Sequence, residues 1–276
     1  MKVALVQFDM DWCQIATNLG RAQQLMDDTT GVDLFVLPEM FATGFITEPQ
    51  GYAQEAGLLR ENKASLLSED KKGPSVVDWM VRTARAKGAA VAGSVATVLH
   101  GEAQNQPQSQ LQSQPQSQLQ SQPQGSNTQP HYVNRLYFVQ PDGQVSWYDK
   151  VHLFAPGGED IHYTPGSDRV IVTYEGWRFL LQICYDLRFP VFSYNQDGNT
   201  YDAILYVASW PAARMYAWDT LLRARAIENK AYVLGVNRVG SDPSCTYSGH
   251  STCLDRLGMP LCYAEETPCI RTAILN

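Results

Sequence analysis

Three short segments end in residue types that hydrolytic chemistry uses: "LFVLPE" at Glu39, "SWYDK" at Lys150 and "LLQIC" at Cys184. A carboxylate, an ammonium and a thiol can serve as proton shuttle, cation and nucleophile. Each follows an apolar run or a hairpin, and reactive groups gather at strand ends in layered α/β proteins. Taken singly, each also has an ordinary reading. Glu39 suits a solvated loop, Lys150 a surface, and Cys184 an inert core. The chain has five histidines, His100, His131, His152, His162 and His250. A cysteine–histidine pair therefore stays open on spacing alone, with His162 and His250 as further pocket candidates.

The elements that must position these groups follow from periodicity. "VALVQF" reads as a buried strand, and "NLGRAQQLMDD" has apolar residues at helical spacing. "VDLFVLPE" is the next strand, halted by Pro38. "SVVDWMVRTARAKG" predicts a helix opening near Ser75 and closing at Gly88. "AAVAGSVATVL" is strand-like. "YVNRLYFVQPDGQVSWYDK" predicts a hairpin turning at "PDG". "WRFLLQIC", "YDAILYVASW" and "AYVLGVNRVG" are further strands, with "WDTLLRARAIENK" a helix between the last two. "CLDRLGMPLCYA" predicts a late hairpin at "DRLG". Hairpins and crossovers together predict an α/β fold with mixed sheets.

Between two of these strands, "QPQSQLQS" occurs at 106–113 and again at 114–121. Such a tract cannot bury enough surface to offset its ordering entropy. We expect a disordered Gln/Pro/Ser-rich insertion at about 101–130, replacing a loop within one domain spanning 1–276. Net charge is −7, which argues against nucleic acid or an anionic membrane as partner. No apolar run approaches the roughly 20 residues of a spanning helix, and the start lacks a leader pattern. A cytoplasmic protein is expected. The six cysteines include no CxxC pair and lack finger spacing, so reduced thiols and no structural metal are expected.

"LPEMFATGF", "YDKVHLF" and "CYDLRFP" resemble, in order, the signature segments of the nitrilase superfamily, the carbon–nitrogen hydrolases. "SWPAARMYAWDTLLRARAIENKAYVLGVNRVG" and "YSGHS" resemble its omega-amidase branch most. The resemblance implies a nitrilase-like four-layer α-β-β-α sandwich with two mixed β-sheets, a homodimer, and no metal or organic cofactor. It implies Cys184 as nucleophile and Glu39 as acid–base residue. Lys150 and the backbone N–H of Tyr185 would hold the oxyanion, and the Lys150 charge would also favour the Cys184 thiolate. Glu159, in "GGEDIHYTPG", matches a second glutamate that orients the lysine. Asp186 and Arg188 would hold the turn presenting the thiol.

The implied reaction is hydrolysis of the terminal amide of a small carboxylate-bearing substrate, of the alpha-ketoglutaramate or alpha-ketosuccinamate type, to acid and ammonia. An arginine fork is the natural partner of that carboxylate. Arg214 is the expected ligand, and a structural ion pair is expected for Arg188. Trp210, Phe45, Tyr163 and Tyr216 are candidate pocket walls. Other carbon–nitrogen hydrolases, a nitrilase or a carbamoylase, remain alternatives, as does a nitrilase-fold scaffold using the Gln-rich tract. The end at "RTAILN" departs from relatives that continue into a helix and tail packing across the dimer.

Overall fold

The protein was examined as a computed structural model, which describes residues 1–56, 75–100, 130–195 and 198–276. The expected disordered tract therefore lies, apart from Pro130, outside the described residues. Strand β1 (Lys2–Gln7) buries Val3 and Leu5 on one face and Ala4 and Val6 on the other. A strand covered on both faces needs this continuous apolar run. The Ala4/Val6 face packs against helices α1 (Ile15–Asp27) and, further on, α2 (Val76–Lys87), through Leu19, Ala22, Met80 and Ala84. The α2 ends fall where the sequence predicts. The Ser75 hydroxyl accepts the Asp78 N–H at 3.3 Å, and Gly88 closes the helix at φ +60°.

Strands β2 (Leu34–Val36), β3 (Gln54–Glu55), β4 (Ala90–Leu99), β5 (His131–Val139) and β6 (Val145–Asp149) extend the first sheet. A short helix α3 (Glu159–His162) leads to the second sheet. That sheet contains β7 (Ile171–Tyr174), β8 (Trp177–Ile183), β9 (Ala203–Ala208) and β10 (Tyr232–Asn237), with helix α4 (Pro190–Ser193) after β8 and α5 (Met215–Asn229) after β9. A hairpin of β11 (Val239–Ser241) and β12 (Thr246–Ser248) stands apart. Strands β13 (Thr252–Leu254) and β14 (Pro260–Tyr263) return to the second sheet, and β15 (Cys269–Ile274) pairs with β1.

The orders are β15-β1-β2-β4-β5-β6, with β3 beside β4, and β14-β13-β10-β9-β8-β7. In each sheet three central strands run parallel and the outer strands of the order antiparallel, while the short β3 pairs β4 in parallel. One apolar core joins Val3, Leu5 and Val36 of the first sheet to Leu180 and Leu205 of the second, and continues to Trp218 and Leu222 of α5. Helix α5 lies close because β10 has Gly235, where a Cβ would stand 2.5 Å from Leu222 Cδ1. The layers are thus helix, sheet, sheet, helix, as the resemblance implies. One predicted strand is split: "AYVLGVNRVG" breaks at Arg238 into β10 and β11. At the break the Asn237 backbone N–H and C=O bond the Ser251 hydroxyl, while its side chain bonds Trp210 N and O and Gly249 O.

Candidate active site

Glu39, Lys150 and Cys184 all follow strands and converge. Glu39 leaves β2 just before Met40, whose φ is +45°. Cys184 follows β8 with φ +46°. Left-handed backbone at non-glycine residues costs energy and collects at functional sites. Behind Cys184 the turn Cys184–Arg188 is a 3-10 helix. Asp186 secures it: Oδ2 accepts Ile183 N and the Tyr148 hydroxyl at 2.9 and 2.8 Å, and Oδ1 accepts His152 N at 3.0 Å. That fulfils the expectation for Asp186. His152 also bonds Asp186 through Nδ1 at 2.8 Å and stacks on Phe189. His162 meets Gln50, and His250 pairs with Asp219 at 2.9 Å. Among the described residues no histidine bonds Cys184.

Glu39, Lys150 and Glu159 are fully buried. Lys150 Nζ donates to Glu39 Oε1 at 2.9 Å and to Glu159 Oε2 at 2.8 Å. Glu159, at the start of α3, also accepts Phe154 N at 2.6 Å. Glu39 Oε2 accepts Ser209 N, beyond β9, at 2.9 Å. Sequence reasoning missed a further member, Asn134 on β5, which donates to Glu39 Oε1 at 2.8 Å and Glu159 Oε1 at 3.0 Å. Only the pairing of β5 with β6, which sets Asn134 beside Lys150, would have suggested it.

The Lys150 charge favours the Cys184 thiolate, as the resemblance implies, but burial outweighs it. Burial raises the Cys184 pKa well above that of a free thiol, and the Glu39 charge adds to this; the Lys150 charge opposes but does not prevail. A thiol so placed is held toward its neutral form. Burial disfavours the Lys150 ammonium, yet attraction from Glu159 and Glu39 overcomes this and holds its pKa well above the usual value. Burial raises the Glu159 pKa, with Lys150 opposing.

Cys184 opens onto a cavity of about 540 Å³, the size of a small-metabolite pocket. Phe45, Tyr185, Trp210 and Arg214 line it as expected, with Trp12, Phe154, Ser244 and Cys245 around them. The Tyr185 N–H has no acceptor among the described residues. Tyr163 is not a wall: its hydroxyl donates to Ile46 O at 2.8 Å and its ring is buried with Met40 and Val98. Tyr216 points to solvent, 86% exposed. Arg188 also departs from expectation. It has no acidic partner among the described residues, lies over the Trp210 ring and lines the cavity. Arg214 lies over Phe154. Among the described residues, the lining includes these two arginines and no acidic side chain.

Residues 2–273 match the family Carbon-nitrogen hydrolase. The chain is 41% identical over 266 residues to the omega-amidase YafV of Escherichia coli strain K12, covering 96% of this chain and 85% of that one. It is 28% identical over 262 residues to the 2-oxoglutaramate amidase of Bacillus subtilis, covering 94% and 84%. Among solved structures, a CN-hydrolase superfamily protein of Xanthomonas campestris superposes with a TM-score of 0.78 at 34% identity, covering 99% of this chain and 89% of that one. With its signature segments, layered sheets and buried Glu–Lys–Cys constellation, the chain belongs to the carbon–nitrogen hydrolase family, enzymes that hydrolyse carbon–nitrogen bonds.

Proposed function

We propose that the chain is an omega-amidase, hydrolysing the terminal amide of a short carboxylate-bearing substrate of the alpha-ketoglutaramate or alpha-ketosuccinamate type. The observation that carries this is a thiol backed by a buried Glu39–Lys150–Glu159 group on the floor of a cavity whose charged walls are arginines. The likeness to the omega-amidase of E. coli supports the same substrate class.

The geometry suggests how the reaction runs. Glu39 takes the thiol proton as Cys184 Sγ attacks the amide carbon, so the neutral resting thiol is no obstacle. The amide oxygen becomes an oxyanion, held by Lys150 and the Tyr185 N–H. Glu39 passes the proton to the nitrogen, the C–N bond breaks, and ammonia leaves a Cys184 thioester. Glu39 then takes a proton from water as the hydroxide attacks the thioester carbon. The C–S bond breaks, the acid departs, and the proton returns to sulfur. Glu159 fixes Lys150, while Arg214, Trp210 and Phe45 orient the substrate. We further propose a cytoplasmic homodimer. All six cysteines are free, which fits a reducing compartment. Exposed Leu257, Met259 and Leu261 around β14 offer an apolar face.

The test is ammonia release from alpha-ketoglutaramate by wild type and Cys184→Ala. Wild type should turn over and the variant should not. Turnover persisting in the variant would remove Cys184 from its role. A wild type inert on this amide but active on simple nitriles would overturn the omega-amidase assignment.

A further inference from the structure

Two carboxylates and one ammonium share the fully buried space below Cys184. Lys150 is the cation for both, at 2.9 and 2.8 Å, so the formal charges leave one negative charge uncompensated. Asn134, also fully buried, donates through Nδ2 to Glu39 Oε1, the oxygen that Lys150 also holds, at 2.8 Å and to Glu159 Oε1, which Lys150 leaves free, at 3.0 Å. Ionised carboxylates only accept, so the amide must turn its nitrogen to them. Both N–H groups are then spent, and Oδ1 is left buried with no donor among the described residues. An orphaned buried acceptor is unfavourable, and fold stability alone gives no reason to keep it.

We propose that Asn134 is a positioning residue whose amide takes the place of a second cation, keeping Glu39 and Glu159 both ionised on Lys150 so that Glu39 can accept the thiol proton. This rests on Glu39 acting as the base of the proposed hydrolysis. Glu39 faces the amide from the loop after β2, Lys150 from the end of β6 and Glu159 from α3, with Cys184 and Tyr163 within electrostatic reach of the three. The next residue, Arg135, pairs with Asp149 at 2.6 Å instead.

The test compares Asn134→Ala and Asn134→Ser with wild type by two pH profiles. One is kcat for alpha-ketoglutaramate; the other is the alkylation rate of Cys184 by iodoacetamide. Asn134→Ala should lower kcat about 100-fold, the size of a misplaced catalytic group. Without the donor, the carboxylates hold protons more readily, so the acid limb of both profiles should move to higher pH. Asn134→Ser keeps one donor and should fall between. Variants whose acid limbs coincide with wild type, whatever their amplitude, would overturn the proposal, since a purely structural residue changes amplitude alone. If Asn134→Ala does not fold, the Asn134→Ser limb decides. Wild type that alkylates yet releases no ammonia would overturn the substrate assignment alone, and the alkylation profiles would still judge Asn134.

Discussion

Glu39, Lys150, Glu159 and Asn134 on the cavity floor are fully buried, whereas Trp12, Arg188, Arg214 and Ser244 around its mouth are exposed. The floor joins elements from both sheets through hydrogen bonds of 2.6–3.0 Å. At the mouth, Arg188 and Arg214 rest on aromatic faces, 5.0 and 4.9 Å from the ring centroids, and Ser244 is held locally by Asp242. The floor is assembled before any ligand arrives, which lets it stabilise developing charge without reorganising. The rim keeps its cations solvated and available. Changes to the floor should therefore act on kcat and stability, and changes to the rim on KM.

The sharpest contrast is Glu39→Gln, which keeps the shape of the floor and removes its proposed base. The kcat should fall by roughly 10³–10⁴-fold, the upper range for acid–base catalysis, with KM little changed; steady-state kinetics checks both. Lys150→Met leaves two buried carboxylates without their cation. Breaking a buried pair in this way costs about 3–5 kcal/mol, so urea unfolding should show a large loss alongside lost turnover. At the rim, Arg214→Met should raise KM for alpha-ketoglutaramate by roughly 10–100-fold, the worth of a charged hydrogen-bonded contact, while an uncharged short amide should be turned over as before. An equal fall in kcat for both substrates would erase the division between floor and rim.

Alkaline pH gives a smaller effect with a definite sign. The Cys184 pKa is raised in the folded state, while an unfolded thiol titrates near about 8.5. Above that pH the unfolded chain loses a proton that the folded one keeps, so stability falls as pH rises. Lys150, also raised, extends the loss above about 10.4. Urea midpoints should decline from about pH 8.5 in wild type, and Cys184→Ala should lessen the first part of the decline, the rest coming from thiols such as Cys253 and Cys262 that burial also pushes up.

What could be read from the sequence divides along similar lines. Strands ending in Glu39, Lys150 and Cys184 were legible because each is a local apolar run followed by a reactive residue. The α2 caps were legible because Ser75 and Gly88 act on their own turns. Asn134 was not, because its partners lie 95 and 25 residues away and nothing in "YVNRLYF" marks it. Tyr163 looked like a wall residue, but its hydroxyl is committed to Ile46, 117 residues away. Arg188 was expected to form an ion pair, but it lies over the Trp210 ring, and both oxygens of the neighbouring Asp186 are taken by Ile183, Tyr148 and His152. Helix α5 and its neighbouring strands were legible, while the β11–β12 hairpin was not, because the Asn237 backbone turns to the Ser251 hydroxyl, 14 residues away.

The bond from Ser209 N to Glu39 Oε2 joins the end of β9 in the second sheet to the residue following β2 in the first. Glu39 N also reaches back to Ala208 O at 3.4 Å. The proposed general base is therefore a stitch between the halves of the molecule. Any slippage of one sheet over the other moves the base relative to the thiol, because Cys184 belongs to the second sheet and Glu39 to the first. Turnover thus registers how well the two halves are seated. Substitutions deep in the shared apolar layer, far from any substrate, would reach the chemistry by this route.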